Sequence, residues 1–190
     1  MSALSVIFAI AILALNIVIS YLNARAIGPI WRDRHNADWF TWALLWSAAI
    51  QSAIGFSMPI LFGEIALLGA CGLISVAVMK AATSLWYLGI IVPAIGTGLI
   101  ITVHSIVQAW RERNFANIAT AGYNTAAMGS NLAQMPSGIG SAISGLFDSD
   151  DAGPAVFFVG LVIALSAIVG GSLITYAVID HYAAKEPLLA

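Results

Sequence analysis

The sequence predicts an all-α fold, a polytopic membrane helical bundle of about five transmembrane helices with one further amphipathic segment. Composition comes first: 61% of the 190 residues are hydrophobic and 8% are charged, against about 25% charged in an ordinary soluble domain. The placement of the charges is more telling. Asp38, Glu64, Lys80 and Arg111 bound three successive blocks that contain no Asp, Glu, Lys or Arg, the pattern of chains that cross lipid. Finally, the stretch from Asn114 to Phe147 carries no charge but many small polar side chains, so it is neither an ordinary span nor an ordinary loop.

The first apolar run covers 3–21, which at a rise of about 1.5 Å per residue is close to the hydrocarbon thickness of a bilayer. Ala24-Arg25-Ala26 has the small-x-small form of a signal-peptide cleavage site, but no basic region precedes the apolar run. An uncleaved anchor is therefore expected. Gly28-Pro29 and the arginines between Asn23 and Asp38 read as a short polar loop. Trp31, Trp39 and Trp42 stand near its end, where indole rings favour the headgroup level.

A second span is expected over 39–58, closed by Pro59 and Gly63-Glu64. The block that follows is long enough for two helices, and Lys80 divides it unevenly. The expected division is a third span at 63–82, a tight connection at Thr83-Ser84, and a fourth span at 85–109. The rival arrangement keeps Lys80 inside a longer helix, its ammonium reaching an interface. A last span is expected at 155–179 after Gly153-Pro154. The whole chain, 1–190, reads as one integral-membrane domain.

Counting Lys and Arg in the loops between these spans puts Arg25, Arg32, Arg34, Lys80 and Lys185 on one side and Arg111 and Arg113 on the other. Cationic loops stay cytoplasmic, so the expectation is an inner-membrane protein with its N-terminus outside and its C-terminus inside.

The segment 114–152 is the expected seat of function. Met128, Leu132, Met135, Ile139, Ile143 and Leu146 recur at spacings of three and four, which puts them on one helical face. The remaining positions are mostly Ser, Asn, Gln, Gly and Ala. Several glycines and Pro136 weaken such a helix, so it needs a surface on which to fold. The fragment GIGSAISGLF resembles the openings of amphipathic membrane-active peptides, without the lysines that hold those peptides to anionic lipid.

Polar groups within the expected spans are few: Asn16, Gln51, His104 and Gln108. Each is costly facing lipid and is expected to point into the bundle or an oligomer interface. Pro93, among Gly89, Gly96 and Gly98, marks a kink that can free carbonyls for an ion or a hinge. Small residues four apart, Ala48 with Ser52, Ala49 with Ala53, Ala66 with Ala70, Ser166 with Gly170 and Ala167 with Gly171, allow close helix packing.

Chemistry is poorly represented. The single cysteine, Cys71, excludes a disulfide framework or a cysteine metal site within one chain. His35, His104 and His181 fall in a loop, a span and a tail, and no HExxH, CxxC, P-loop or G-x-S-x-G motif is present. No catalytic residue, cofactor or metal is assigned. A net charge of −2 with no basic run gives no footprint for nucleic acid.

The layout is similar in outline to small membrane proteins of phages and other mobile elements, a likeness of architecture that implies no functional residue. The expected function is a non-enzymatic membrane protein that oligomerises, as a pore-forming or holin-like assembly. Two alternatives are a structural subunit anchoring a larger membrane complex and a small-molecule or ion transporter built around Gln51, Pro93 and His104. The expected partners are the lipid bilayer and either further copies of the chain or another membrane protein.

Overall fold

The computed structural model describes residues 3–147 and 153–185. They form five helices: α1 (Ala3–Trp31), α2 (Trp39–Ala70), α3 (Val76–Arg111), α4 (Phe115–Phe147) and α5 (Pro154–Lys185). Four of them, α1, α2, α3 and α5, are long and apolar enough to cross a membrane. The all-helical membrane bundle is as expected, but its division is not. The three expected spans at 39–58, 63–82 and 85–109 are two longer helices.

The reason lies in which residues end a helix when lipid is the solvent. Pro59 sits inside α2, because one missing N–H is tolerated where neighbouring helices still favour the rod. Gly63 and Glu64 continue the helix. The break comes at Gly72, whose φ of 68° is open to glycine. There Gly72 N–H donates to Gly69 O at 3.0 Å and Leu73 N–H to Leu68 O at 2.9 Å, the paired bonds of a Schellman closure. Ser75 then caps α3, its hydroxyl accepting from Val78 N–H. Lys80 consequently lies in the second turn of α3, and Thr83-Ser84, expected as a connection, lies in its interior.

The first helix also runs past its expected end. Gly28 and Pro29 fall within α1 instead of forming a loop. Continuing the helix to Trp31 buries Ala24, Ile27 and Trp31 against Leu45, Ala49 and Ile179, and that apolar burial outweighs the one backbone bond Pro29 forgoes. Gly28 is required at this crossing, since a Cβ there would lie 2.6 Å from the Tyr182 Cβ. Asp38 then starts α2, accepting from Phe40 N–H at 2.9 Å and from Thr41 N–H at 3.0 Å. The hydrogen bonds from Thr41 N–H and its hydroxyl, with that from Phe40, hold the exposed Asp38 carboxyl below the usual carboxylate range.

A second core joins α2, α3 and α5, with Leu61, Trp86, Ile163 and Ala167 at its centre. The helices approach closely where the small residues expected to pack do so: Ala49, Ser52, Ala167 and Gly171 are all buried, and a Cβ on Gly171 would fall 2.6 Å from Ser57 N. Ala66 and Ala70 remain exposed. Large side chains on the outside are apolar, for example Phe8, Val92 and Phe158, as a lipid-facing surface requires.

The helices alternate in direction. At one end Arg32 donates to the Ala183 carbonyl and Phe40 packs on His104. At the other, Met79 lies against Gly69, and Leu146 and Phe147 meet Pro154 around Ala81. The acidic run Asp148, Asp150 and Asp151, the end of the expected segment 114–152 and the tail beyond residue 185 lie outside the described residues.

Candidate functional site

Helix α4 is unbroken through Pro136 and five internal glycines. Its start is set by Asn114, whose Oδ1 accepts from Asn117 N–H at 2.8 Å. The surface it needed for folding is α3. Four approaches define the register: the Thr102 hydroxyl reaches the Asn124 carbonyl at 3.4 Å, Gly98 faces Met128, Tyr87 faces Gly138, and Ser84 faces Gly145. The residue numbers fall along one helix as they rise along the other, so α4 runs antiparallel to α3 from Asn124 to Gly145.

The buried face of α4 overlaps the apolar stripe and is rotated from it toward the small residues. Of the six apolar residues on that stripe, Met128 is buried, Met135, Ile139 and Leu146 are half-buried, and Leu132 and Ile143 are exposed at its edge. Ala121, Ala142, Gly138 and Gly145 complete the contact instead. Small residues win because they let the two backbones come together, which in lipid counts for more than apolar area alone.

The exposed surface of α4 between Ser130 and Ser144 is largely polar. Ser130, Asn131, Gln134, Ser137, Ser141 and Ser144 are all exposed. Some of this polarity is met inside the helix, with Gln134 Nε2 donating to Ser130 Oγ at 2.9 Å and Ser137 Oγ to Gln134 O at 2.9 Å. Asn131, Ser141 and Ser144 have no side-chain hydrogen bond among the described residues. Gln134 lies between the levels of Gly138 and Met128, and thus opposite the part of α3 between Tyr87 and Gly98, where Pro93 stands. At one end this face runs into a groove of about 770 Å³ lined by Lys80, Thr83, Ser84, Ser137, Ser141 and Ser144. Ser84, 7% exposed, makes no hydrogen bond through its hydroxyl among the described residues.

The polar residues expected within the spans are not gathered into one site; only His104 and Gln108 share a cleft. Asn16 donates to Ile12 O of its own helix at 3.0 Å. Gln51 Nε2 donates to Ala94 O at 2.8 Å and Thr97 Oγ1 at 2.7 Å, and Thr97 Oγ1 donates in turn to Pro93 O at 2.6 Å. The turn of α3 around Pro93 is thus tied to α2 through Gln51. His104 lies about two turns further along α3 from Thr97, against Phe40, with ring centroids 5.6 Å apart. Gln108 shares an open cleft with it and with Asp38 and Arg111.

Polar features that escaped the sequence include Glu64 and Thr175. Glu64, expected in a turn, accepts from Ser166 Oγ at 2.8 Å across the α2–α5 seam. The Thr175 hydroxyl is buried with no hydrogen-bond partner among the described residues. Neither has a motif; each depends on helices distant in sequence. Compared with protein-family models, curated proteins and solved structures, the chain has no match in any of them.

Proposed function

We propose that this chain is a non-enzymatic membrane protein that acts as an oligomer, its copies meeting so that the outer face of α4 borders a polar, water-filled path. One observation carries the reading, the antiparallel register of α4 on α3. If α3 crosses the bilayer, the residues of α4 opposite Pro93 share its depth, and an open row of Asn, Gln and Ser there is costly against hydrocarbon. Association that turns this face inward removes the cost. The row holds no charge, which suits passage of polar solutes better than selection of an ion by sign.

The reading extends to orientation. With five crossings, Arg25, Arg32, Arg34, Arg111, Arg113 and Lys185 belong to one end of the bundle and Lys80 to the other. Six cations against one is a sharper asymmetry than the spans expected from sequence gave, and it favours a cytoplasmic membrane with the N-terminus outside and the C-terminus inside.

The test is the oligomeric state of the full chain in lipid nanodiscs, paired with release of a small dye from vesicles carrying it. The expected result is an assembly of several copies and leaky vesicles, both lost in a Gln134→Leu, Ser137→Leu double variant that remains helical. A monomer in tight vesicles overturns the proposal. A monomer that forms a stoichiometric complex with a different membrane protein through Gln134 replaces it with the anchoring-subunit alternative.

A further inference from the structure

A second feature lies away from α4, in the crevice between α1, α2 and α5. Its volume is about 310 Å³, and its walls are the indoles of Trp31 and Trp46 with Ile50, Ala53 and Ile179. That size is at the lower limit of small-molecule sites, which run from about 300 to 1,000 Å³. A smaller cavity of about 140 Å³ shares Ile50, Ala53 and Ser172 with it and reaches Pro93. Together they form an apolar seam leading from the arginine-rich end toward the middle of the bundle.

Among the polar groups lining this seam, two have unused hydrogen-bonding capacity that a ligand could meet. At its mouth stands Arg34, half-buried, with its guanidinium carbon 5.0 Å from the centre of the Trp31 ring and its Nη1 donating to Trp31 O at 2.9 Å. One donor is used and the others remain; among the described residues no carboxylate pairs with it. Deeper inside, Thr175 is 4% exposed, and its hydroxyl is the one buried side-chain polar atom among the described residues with no hydrogen-bond partner. A buried hydroxyl left in that state costs free energy, which a ligand carrying an acceptor at that depth recovers. An anion at the mouth, an acceptor beside the buried hydroxyl, and an apolar chain beyond describe one class of molecule.

We infer that this crevice is a binding site for an anionic phospholipid, its phosphate on Arg34, an ester carbonyl accepting from Thr175 Oγ1, and one acyl chain laid along the seam toward Pro93. Arg34 supplies the directional donors that phosphate favours. Trp31 and Trp46 present the amphipathic rings that sit at the level of lipid headgroups. The inference does not depend on the oligomer proposed above, because none of the residues involved lies on α4.

The test uses the full chain reconstituted in vesicles of equal parts phosphatidylglycerol and phosphatidylcholine, extracted in a neutral detergent and weighed intact by native mass spectrometry. About one phosphatidylglycerol per chain is expected to be retained in preference to phosphatidylcholine. Arg34→Gln should reduce that retention by about tenfold or more, the scale of a lost charge-assisted hydrogen bond. Thr175→Val separates binding from folding: it removes an unsatisfied hydroxyl, so the lipid-free protein should melt higher while phosphatidylglycerol raises its Tm less than in the wild type. Retention of both lipids alike, or unchanged retention in Arg34→Gln, overturns the assignment. So does inorganic phosphate raising the Tm as far as phosphatidylglycerol, since the acyl chain would then contribute nothing.

Discussion

The indole Nε1 of Trp86 on α3 donates to the hydroxyl of Ser57 on α2 at 2.9 Å, and both side chains are buried. Ser57 Oγ at the same time donates to Ile54 O at 2.8 Å. The pair therefore joins two helices with every polar atom used, in surroundings where an unused one is expensive.

From that pairing, Trp86→Phe should destabilise the bundle by about 1 kcal/mol, the usual net worth of such a bond. Trp86→Ala, which also empties the core, should cost about 3–5 kcal/mol. Reversible unfolding in mixed detergent micelles gives both numbers. Trp110→Phe is the control, because Trp110 is exposed; if it costs as much as Trp86→Phe, the buried bond contributes nothing.

The crossing of α3 and α5 rests on Gly160. A Cβ there would lie 2.8 Å from the Ala81 Cβ and 3.0 Å from the backbone nitrogen of Ala82. Gly160→Ala must push the helices apart and should destabilise by about 1–3 kcal/mol, as overpacking does. Gly96→Ala meets nothing within 4 Å and should gain up to about 1 kcal/mol of helix stability. The opposite signs are read in the same unfolding assay, and equal effects would remove the packing argument.

The lone cysteine reports topology. Cys71 is exposed at the α2–α3 turn, the end of the bundle away from the arginines. In intact cells a membrane-impermeant maleimide should label it from outside, whereas a cysteine placed at Ser2 or His35 should be labelled from outside and inside respectively. Protection of Cys71 until the membrane is opened reverses the proposed orientation.

Asp38 sets a pH dependence. Its folded-state pKa is held down by hydrogen bonds from Thr41 and Phe40, so its contribution to stability is present above the unfolded value of about 3.9 and is lost as pH falls through the lower folded value. Asp38→Ala should therefore lower the Tm at neutral pH, and the gap between variant and wild type should close as the pH falls below that unfolded value. A gap that persists at low pH contradicts the capping role.

How much of this could be read from the sequence depends on what each property rests on. Lipid demands that backbone groups be satisfied within each segment, so long charge-free blocks already implied helices, and the apolar repeat from Met128 to Leu146 already implied a helix at α4. The chain's poverty in charge settled its class for the same reason. Helix boundaries were harder. Pro59 and Gly28-Pro29 break helices in water but are carried here by the packing around them, while the real stop at Gly72 and start at Ser75 were present as an ordinary cap pair inside an apolar run. Only the tertiary structure decided which face of α4 is buried, that Gln51 is bound to the α3 backbone beside Pro93, and that Arg34 and Thr175 share one crevice. Each of these depends on contacts between helices far apart in the chain, and a local pattern of side chains holds no information about which helix becomes the neighbour.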